Sequence, residues 1–386
     1  MAGLYIHIPF CKSRCIYCAF YSTTGLDLRQ QYVDALCREM EIRHKGESPI
    51  STIYLGGGTP SQLTSSQLHQ LFLYINKVYS LPFIQGGAGG ESEVTIEVNP
   101  DDVTEAFAEG LKGLPVNRVS MGAQTFNDER LRFLRRRHTA SQVTEAVRRL
   151  REAGIHNISI DLMYGFPNET ISDWQRDIDT ALALDVEHLS AYCLSIEEGT
   201  PLFDQMRNKK CEMRNENEEM RNEKAEELER QMYELLIDKL TAAGYEHYEI
   251  SNFAKPGHRS RHNSSYWHDV PYIGLGAAAH SYDGTRRQWN VADIHQYIDA
   301  INRGVIPCEQ EVLDADTRYN DRITVALRTS DGLDLNSLTE RQRSYCLSEA
   351  RRFLDDGLLR LRDNHLVLTR KGLFVSDYVM SALVIV

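Results

Sequence analysis

Three of the chain's eight cysteines stand together as Cys11, Cys15 and Cys18, spaced Cys-x3-Cys-x2-Cys just after a short apolar run. A loop of that length can curl with all three sulfurs inward, which suits metal or redox chemistry in a reducing compartment. A [4Fe–4S] cube asks for four ligands, so three local thiolates leave one iron to a distant side chain or open to a substrate. Structural zinc is the alternative, with His7 or a distant cysteine as fourth ligand. Zinc usually shows two paired ligand motifs, and the sequence has no second Cys-x2-Cys. Cys37, Cys193, Cys211, Cys308 and Cys346 stand singly and read as small hydrophobes.

The elements that must position such a loop are visible as alternating patterns. β-Branched or aromatic runs at Leu4–Ile8, Thr52–Leu55, Val94–Val98, Asn117–Met121, Asn157–Leu162 and His188–Leu194 are separated by helical patterns. That alternation predicts an α/β fold with a parallel sheet, either a partly open (β/α)6 barrel or a doubly wound sheet. In both arrangements function gathers where strands end. Ligand-type residues follow five of the strands in turn: the cysteines, then Gly56-Gly57-Gly58-Thr59-Pro60, Glu97-Val98-Asn99-Pro100, Gly122-Ala123-Gln124-Thr125-Phe126 and Asp161-Leu162-Met163-Tyr164-Gly165.

Read together, these motifs resemble the radical S-adenosylmethionine (SAM) superfamily. Tyr5-Ile6-His7-Ile8-Pro9-Phe10-Cys11, Tyr54 to Ser61, Ile96 to Pro100 and Asp161 to Pro167 are similar to the branch comprising oxygen-independent coproporphyrinogen III oxidase (HemN) and the heme chaperone HemW. The resemblance implies a radical SAM barrel in which Cys11, Cys15 and Cys18 hold a [4Fe–4S] cluster whose open iron binds SAM. One electron then cleaves SAM to a 5′-deoxyadenosyl radical. It further implies SAM contacts at Tyr5, Gly57, Gly58, Thr59 and Glu97. Gln124, Arg136 and Asp161 match positions that serve a second SAM in the oxidase. Without the resemblance, Arg136 is one of three consecutive arginines on a solvated helix face.

Two departures set the chain apart from the oxidase. The oxidase motif continues Cys-x3-Cys-x2-Cys-x-Cys, whereas Phe20 stands here; and because the sequence reaches Cys11 almost at once, the expectation is that it lacks the oxidase's N-terminal extension before its cluster. His262-Asn263-Ser264-Ser265-Tyr266-Trp267 matches the His-Asn-x-x-Tyr-Trp motif of the chaperones. His262 is therefore a candidate heme ligand, with a satisfied loop histidine, anchored by Tyr266 and Trp267, as the alternative. The leading expectation is a HemW-type chaperone that binds heme and passes it to respiratory apoproteins, served by an electron donor. The second is an oxygen-independent coproporphyrinogen III oxidase, and the third a structural zinc protein.

Composition bounds these expectations. Forty-three basic against 55 acidic residues give a net charge of −12, a surface that repels nucleic-acid phosphates. With no long apolar run and no signal-peptide pattern, the expectation is a cytoplasmic protein with at most peripheral membrane contact. The expected divisions are a radical SAM core over 1–200, a helical insertion and connector over 201–244, an aromatic and histidine-rich extension over 245–313, and a winged-helix-like domain over 314–386. The last is read as a docking or covering domain. The Gly-rich stretch 85–92 and the tandem repeat within 207–224 are read as a solvated loop and an exposed helix.

Overall fold

The computed structural model describes residues 2–44, 50–79, 92–212 and 218–386. Residues 85–91 and the middle of the 207–224 repeat lie outside them. Six strands, β1 (Ala2–Ile8), β2 (Ile50–Gly57), β3 (Glu93–Val98), β4 (Arg118–Gln124), β5 (Asn157–Tyr164) and β6 (His188–Cys193), pair in parallel and in chain order. This is the partial barrel, not the doubly wound sheet. The sheet then grows at both edges. Beyond β6 come β7 (Glu246–Glu249) and β8 (Asn252–Ala254), while β9 (Tyr272–Leu275) pairs in parallel with the free side of β1. From β9 an antiparallel run continues through β10 (His280–Tyr282), β11 (Arg286–Asn290) and β12 (Cys308–Val312). The strand that leads into the cysteine loop is thus central in a sheet of twelve strands among the described residues.

Strand alternation sorts the residues by face. Ile6 and Ile8 on β1, Ile53 and Leu55 on β2, and Ile158 and Ile160 on β5 are buried under the covering helices in the main apolar core. The intervening positions are polar and meet one another inside the barrel. Tyr54 donates to Glu97 at 2.7 Å, Thr52 pairs with His262 at 2.8 Å, and Ser159 with His188 at 2.8 Å. Barrels of this family of shapes usually fill their interior with branched apolar side chains; this one is lined for polar contents. Arg118 on β4 is only 1% exposed, and its Nε and one Nη meet no protein acceptor.

A buried carboxylate fixes the added strands. Glu39, on the helix Arg29–Arg43, accepts from Arg43 (2.8 Å), Tyr297 (2.6 Å), the Gly276 amide (2.8 Å) and Asn290 (2.8 Å). Tyr32 of the same helix donates to the His7 carbonyl and accepts from the Ala277 amide. Breaking one partner of such a buried charge costs about 3–5 kcal/mol, so the β9–β11 extension is held firmly beside β1.

The C-terminal part has its own core, with Tyr319, Ile323, Phe353, Leu366 and Leu383 among its members, around a sheet of β13 (Leu333–Asp334), β14 (Leu359–Arg362) and β15 (His365–Leu368). It docks through Arg328, which reaches the buried Glu249 carboxylate at 2.8 Å, and through paired backbone bonds between residues 248–250 and 328–330. No helix of the described residues is long and apolar enough to cross a membrane.

Candidate functional site

The cysteine loop leaves β1 through Pro9 and is tied back at several points. The Cys11 amide donates to Thr23 O at 2.9 Å, Ile16 N to Leu134 O at 3.3 Å, and Leu202 N to Ile16 O at 2.9 Å. Lys12 pairs with Asp102 at 2.7 Å, and that carboxylate also accepts from Ser61, Gln62 and Arg137. Asp102 thus clamps the loop to the ends of β2, β3 and β4.

The strand-end motifs meet in one chain of contacts that begins and ends on the loop. Cys11 Sγ lies 3.6 Å from the Thr59 hydroxyl, which accepts from Asn99 at 3.1 Å. Asn99 accepts in turn from Arg136 at 2.7 Å, and Arg136 donates to Cys15 Sγ at 3.6 Å and to the Gly122 carbonyl at 2.5 Å. Arg136 is no solvated arginine. Arg135 adopts φ +58 in the turn after the helix Asp128–Phe133, and Arg136 beyond it turns inward. Its Nε is buried without a partner. Gln124 sits at the end of β4 with φ +67, a conformation non-glycine residues seldom adopt.

Glu97 accepts from Tyr54 and from the Gly57 amide at 3.1 Å, which places its carboxylate against the Gly-rich turn. Burial pushes its pKa up to about 7, and that of Asp161, further inside, to about 6. Each holds its proton more firmly folded than unfolded, so the folded state binds more protons between roughly pH 4 and 7 and stability falls as pH rises through that window. Glu97→Gln is expected to flatten this slope by on the order of 1–2 kcal/mol, allowing for the accessibility of the lumen. Urea midpoints of the cofactor-free protein at pH 5 and pH 8 measure it; an unchanged slope would mean the carboxyl is fully hydrated.

The glycines of the turn have a reason within the protein. A Cβ on Gly57, whose φ is +107, would lie 2.4 Å from the His7 ring, and one on Gly58 would lie 2.7 Å from the Pro9 backbone. Their bareness lets β1 and β2 converge beneath the cysteine loop. Tyr5 donates to His7 Nδ1 at 2.9 Å and packs against Tyr54.

Among the described residues no three His, Cys, Asp or Glu side chains, the loop cysteines included, converge on one point as ligands of a single metal ion. In a cubane each thiolate takes a different iron. The donor set of three free, half-buried thiols, with the orphaned Arg136 Nε beside Cys15, fits that group. Burial pushes the Cys11 and Cys18 thiols up, so any metal centre they took up would have to displace their protons.

His262 lies away from the loop, under the barrel's opposite end. It is fully buried, with Nδ1 on Thr52 and Nε2 on Tyr266, both at 2.8 Å, and its ring stacks on Tyr54. Burial, with Arg118 nearby, lowers its pKa to about 3. Neither nitrogen is left for iron. The geometry is that of the satisfied histidine which the sequence left open.

A cavity of about 740 Å³ opens beside the loop instead, between β1, the β9–β11 extension and the helix Ala315–Ala326 of the C-terminal domain. Tyr5, Phe20, Tyr266, Tyr272, Tyr282 and His280 line it. Phe20, where the oxidase motif has its further cysteine, is 70% exposed at its rim. Nothing in the sequence placed these residues together, because they come from four separate segments.

Family models describe residues 5–181 as radical SAM superfamily and residues 313–375 as HemN C-terminal domain. The heme chaperone HemW of Bacillus subtilis is 34% identical over 391 residues, covering 99% of both chains. HemW of Mycobacterium tuberculosis is 32% identical, covering 99% of this chain and 94% of that one. Among solved structures, coproporphyrinogen III oxidase (HemN) from Escherichia coli, a radical SAM enzyme, superposes with a TM-score of 0.81 at 22% identity, covering 99% of this chain and 89% of that one. At that identity the likeness concerns the fold.

Proposed function

Because this chain belongs to the HemW family of the radical SAM superfamily, we propose that it is a heme chaperone, which accepts heme and hands it to apoproteins of the respiratory chain. The observation that carries the reading is the similarity to HemW over 99% of both chains, with the radical SAM match at residues 5–181 and the HemN C-terminal match at 313–375. Phe20 at the mouth of an aromatic cavity supports it, since a porphyrin is a large apolar disc with two carboxylates.

Superfamily membership brings a [4Fe–4S] cluster and SAM. In our reading Cys11, Cys15 and Cys18 hold the cluster, which with SAM supplies one-electron cleavage of the sulfonium. The protein's own part is orientation and exclusion of side reactions. Tyr5, Gly57, Gly58, Thr59 and Glu97 surround the SAM position, Glu97 as acceptor for a ribose or ammonium. Arg136 steadies Cys15, and Gln124 and Asp161 extend the polar wall inward.

The test is anaerobic incubation of the reconstituted protein with SAM, a reductant and coproporphyrinogen III, beside a hemin titration. Stoichiometric hemin binding without protoporphyrinogen formation is the expected result. Conversion of coproporphyrinogen III would make the chain the oxidase instead.

A further inference from the structure

We propose that the cavity beside the cysteine loop is where heme sits, and that His280 supplies the ligand to its iron. The inference rests on the reading that the chain binds heme. A volume of about 740 Å³ is within the range of cofactor-sized sites, roughly 300–1,000 Å³.

The ligand follows from which donors are free. His7, also in the wall, has Nδ1 on Tyr5 and Nε2 on the Tyr21 carbonyl, 2.9 and 3.0 Å away. His262 is likewise committed through both nitrogens. His280 opens β10 with an exposed side chain, its ring lying alongside Trp289, and no hydrogen bond to either ring nitrogen exists among the described residues. Partial burial and Arg287 hold its pKa below the usual imidazole value, which favours the neutral form that coordinates iron.

Tyrosine is the competing ligand, and it fares worse. The hydroxyls of Tyr5, Tyr266 and Tyr282 are bonded to His7, His262 and Asp269. Tyr272 has no such partner among the described residues, but burial raises its pKa and so disfavours the phenolate that iron needs. The tyrosines serve better as walls: Tyr266 and Tyr272 meet edge to face at 4.7 Å, and Tyr272 lies 6.2 Å from Tyr282.

The carboxylates of heme find a cation at the same mouth. Among the described residues Arg287 is held by long pairs, 3.4 Å to Asp321 and 3.4 Å to Glu311, and its side chain is 38% exposed. Exposed pairs of this kind contribute little and are readily exchanged. Arg322 is more firmly engaged, at 2.9 Å to Asp269 and 2.8 Å to the Ser337 carbonyl. Asp269 and Asp321 stand in the same wall, so a propionate must compete with Asp321 for Arg287, which is why the length of that pair matters.

Hemin titration of the full-length chain, followed by its Soret band, tests the assignment. His280→Ala is expected to lose the histidine-ligated band and to bind hemin at least ~10-fold more weakly, with added imidazole restoring the band. Because the ring carries no bonds, the variant should unfold at the parental temperature, which separates lost ligation from lost fold. Arg287→Gln should weaken hemin several-fold while leaving the band position unchanged. A parental spectrum and affinity in His280→Ala would overturn the ligand assignment and leave the chaperone reading standing. Failure of the parental chain to bind hemin stoichiometrically would overturn that reading and the assignment with it.

Discussion

After anaerobic reconstitution with iron and sulfide, Cys15→Ala is expected to hold at least ~10-fold less cluster iron than the parent chain, because losing even an outer partner of a metal ligand costs ~10–100-fold. Cys15 is the thiol that Arg136 grips, and Arg136 connects through Asn99 and Thr59 to Cys11. On the proposed ligation, removing that sulfur takes away a ligand, and it also cuts the chain of contacts at its far end. Arg136→Leu keeps the ligand and cuts only the contact, so it should assemble a cluster that is lost faster to a chelator. Cys308→Ala, exposed on the outermost strand, serves as the control and should match the parent. Parental iron content in Cys15→Ala would remove the cysteine loop as the cluster site.

The second large effect falls on stability. His262→Ala is expected to cost about 3–4 kcal/mol, combining a cavity of aromatic size with two stranded hydroxyls. Thr52 and Tyr266 both lose their partner, and Tyr54 loses the ring it stacks upon. Since Tyr54 also donates to Glu97, the damage reaches that carboxylate indirectly. Urea unfolding measures the loss. The histidine-ligated Soret band should stay at its parental position under conditions where the variant is folded, because His262 reaches the cavity only through the Tyr266 wall; loss of that band with unchanged stability would restore His262 as a ligand.

The contrast between His262 and His280 shows what the sequence carries. The strands, their order and the motif at each strand's end were legible, because period-two apolar runs, glycine turns and cysteine spacing are local signals. Arg136 was legible only through resemblance; its inward turn depends on the left-handed backbone at Arg135. The polar lumen has a local signature too: Tyr54, Ser159, Asp161 and Ser190 each stand between two apolar neighbours. Asp102 and the cavity were not legible. Lys12 and Asp102 lie 90 residues apart, and His280 reaches the cavity only because β9 pairs with β1. Such sites are made by non-local pairing, which no spacing announces.

That same pairing has a kinetic side. Gly3 of β1 lies opposite Tyr272 of β9, so one edge of the first strand stays unpaired until nearly 270 more residues have been made. At a ribosomal pace of 5–20 residues per second that is roughly 15–55 s. For that interval an apolar strand edge stands open beside three thiols, a stretch exposed to mispairing and oxidation. The contact that shuts it is among the most distant in the chain, which slows the final step of folding. The strand that emerges first is thus among the last to be completed, and the wall containing His280 closes with it.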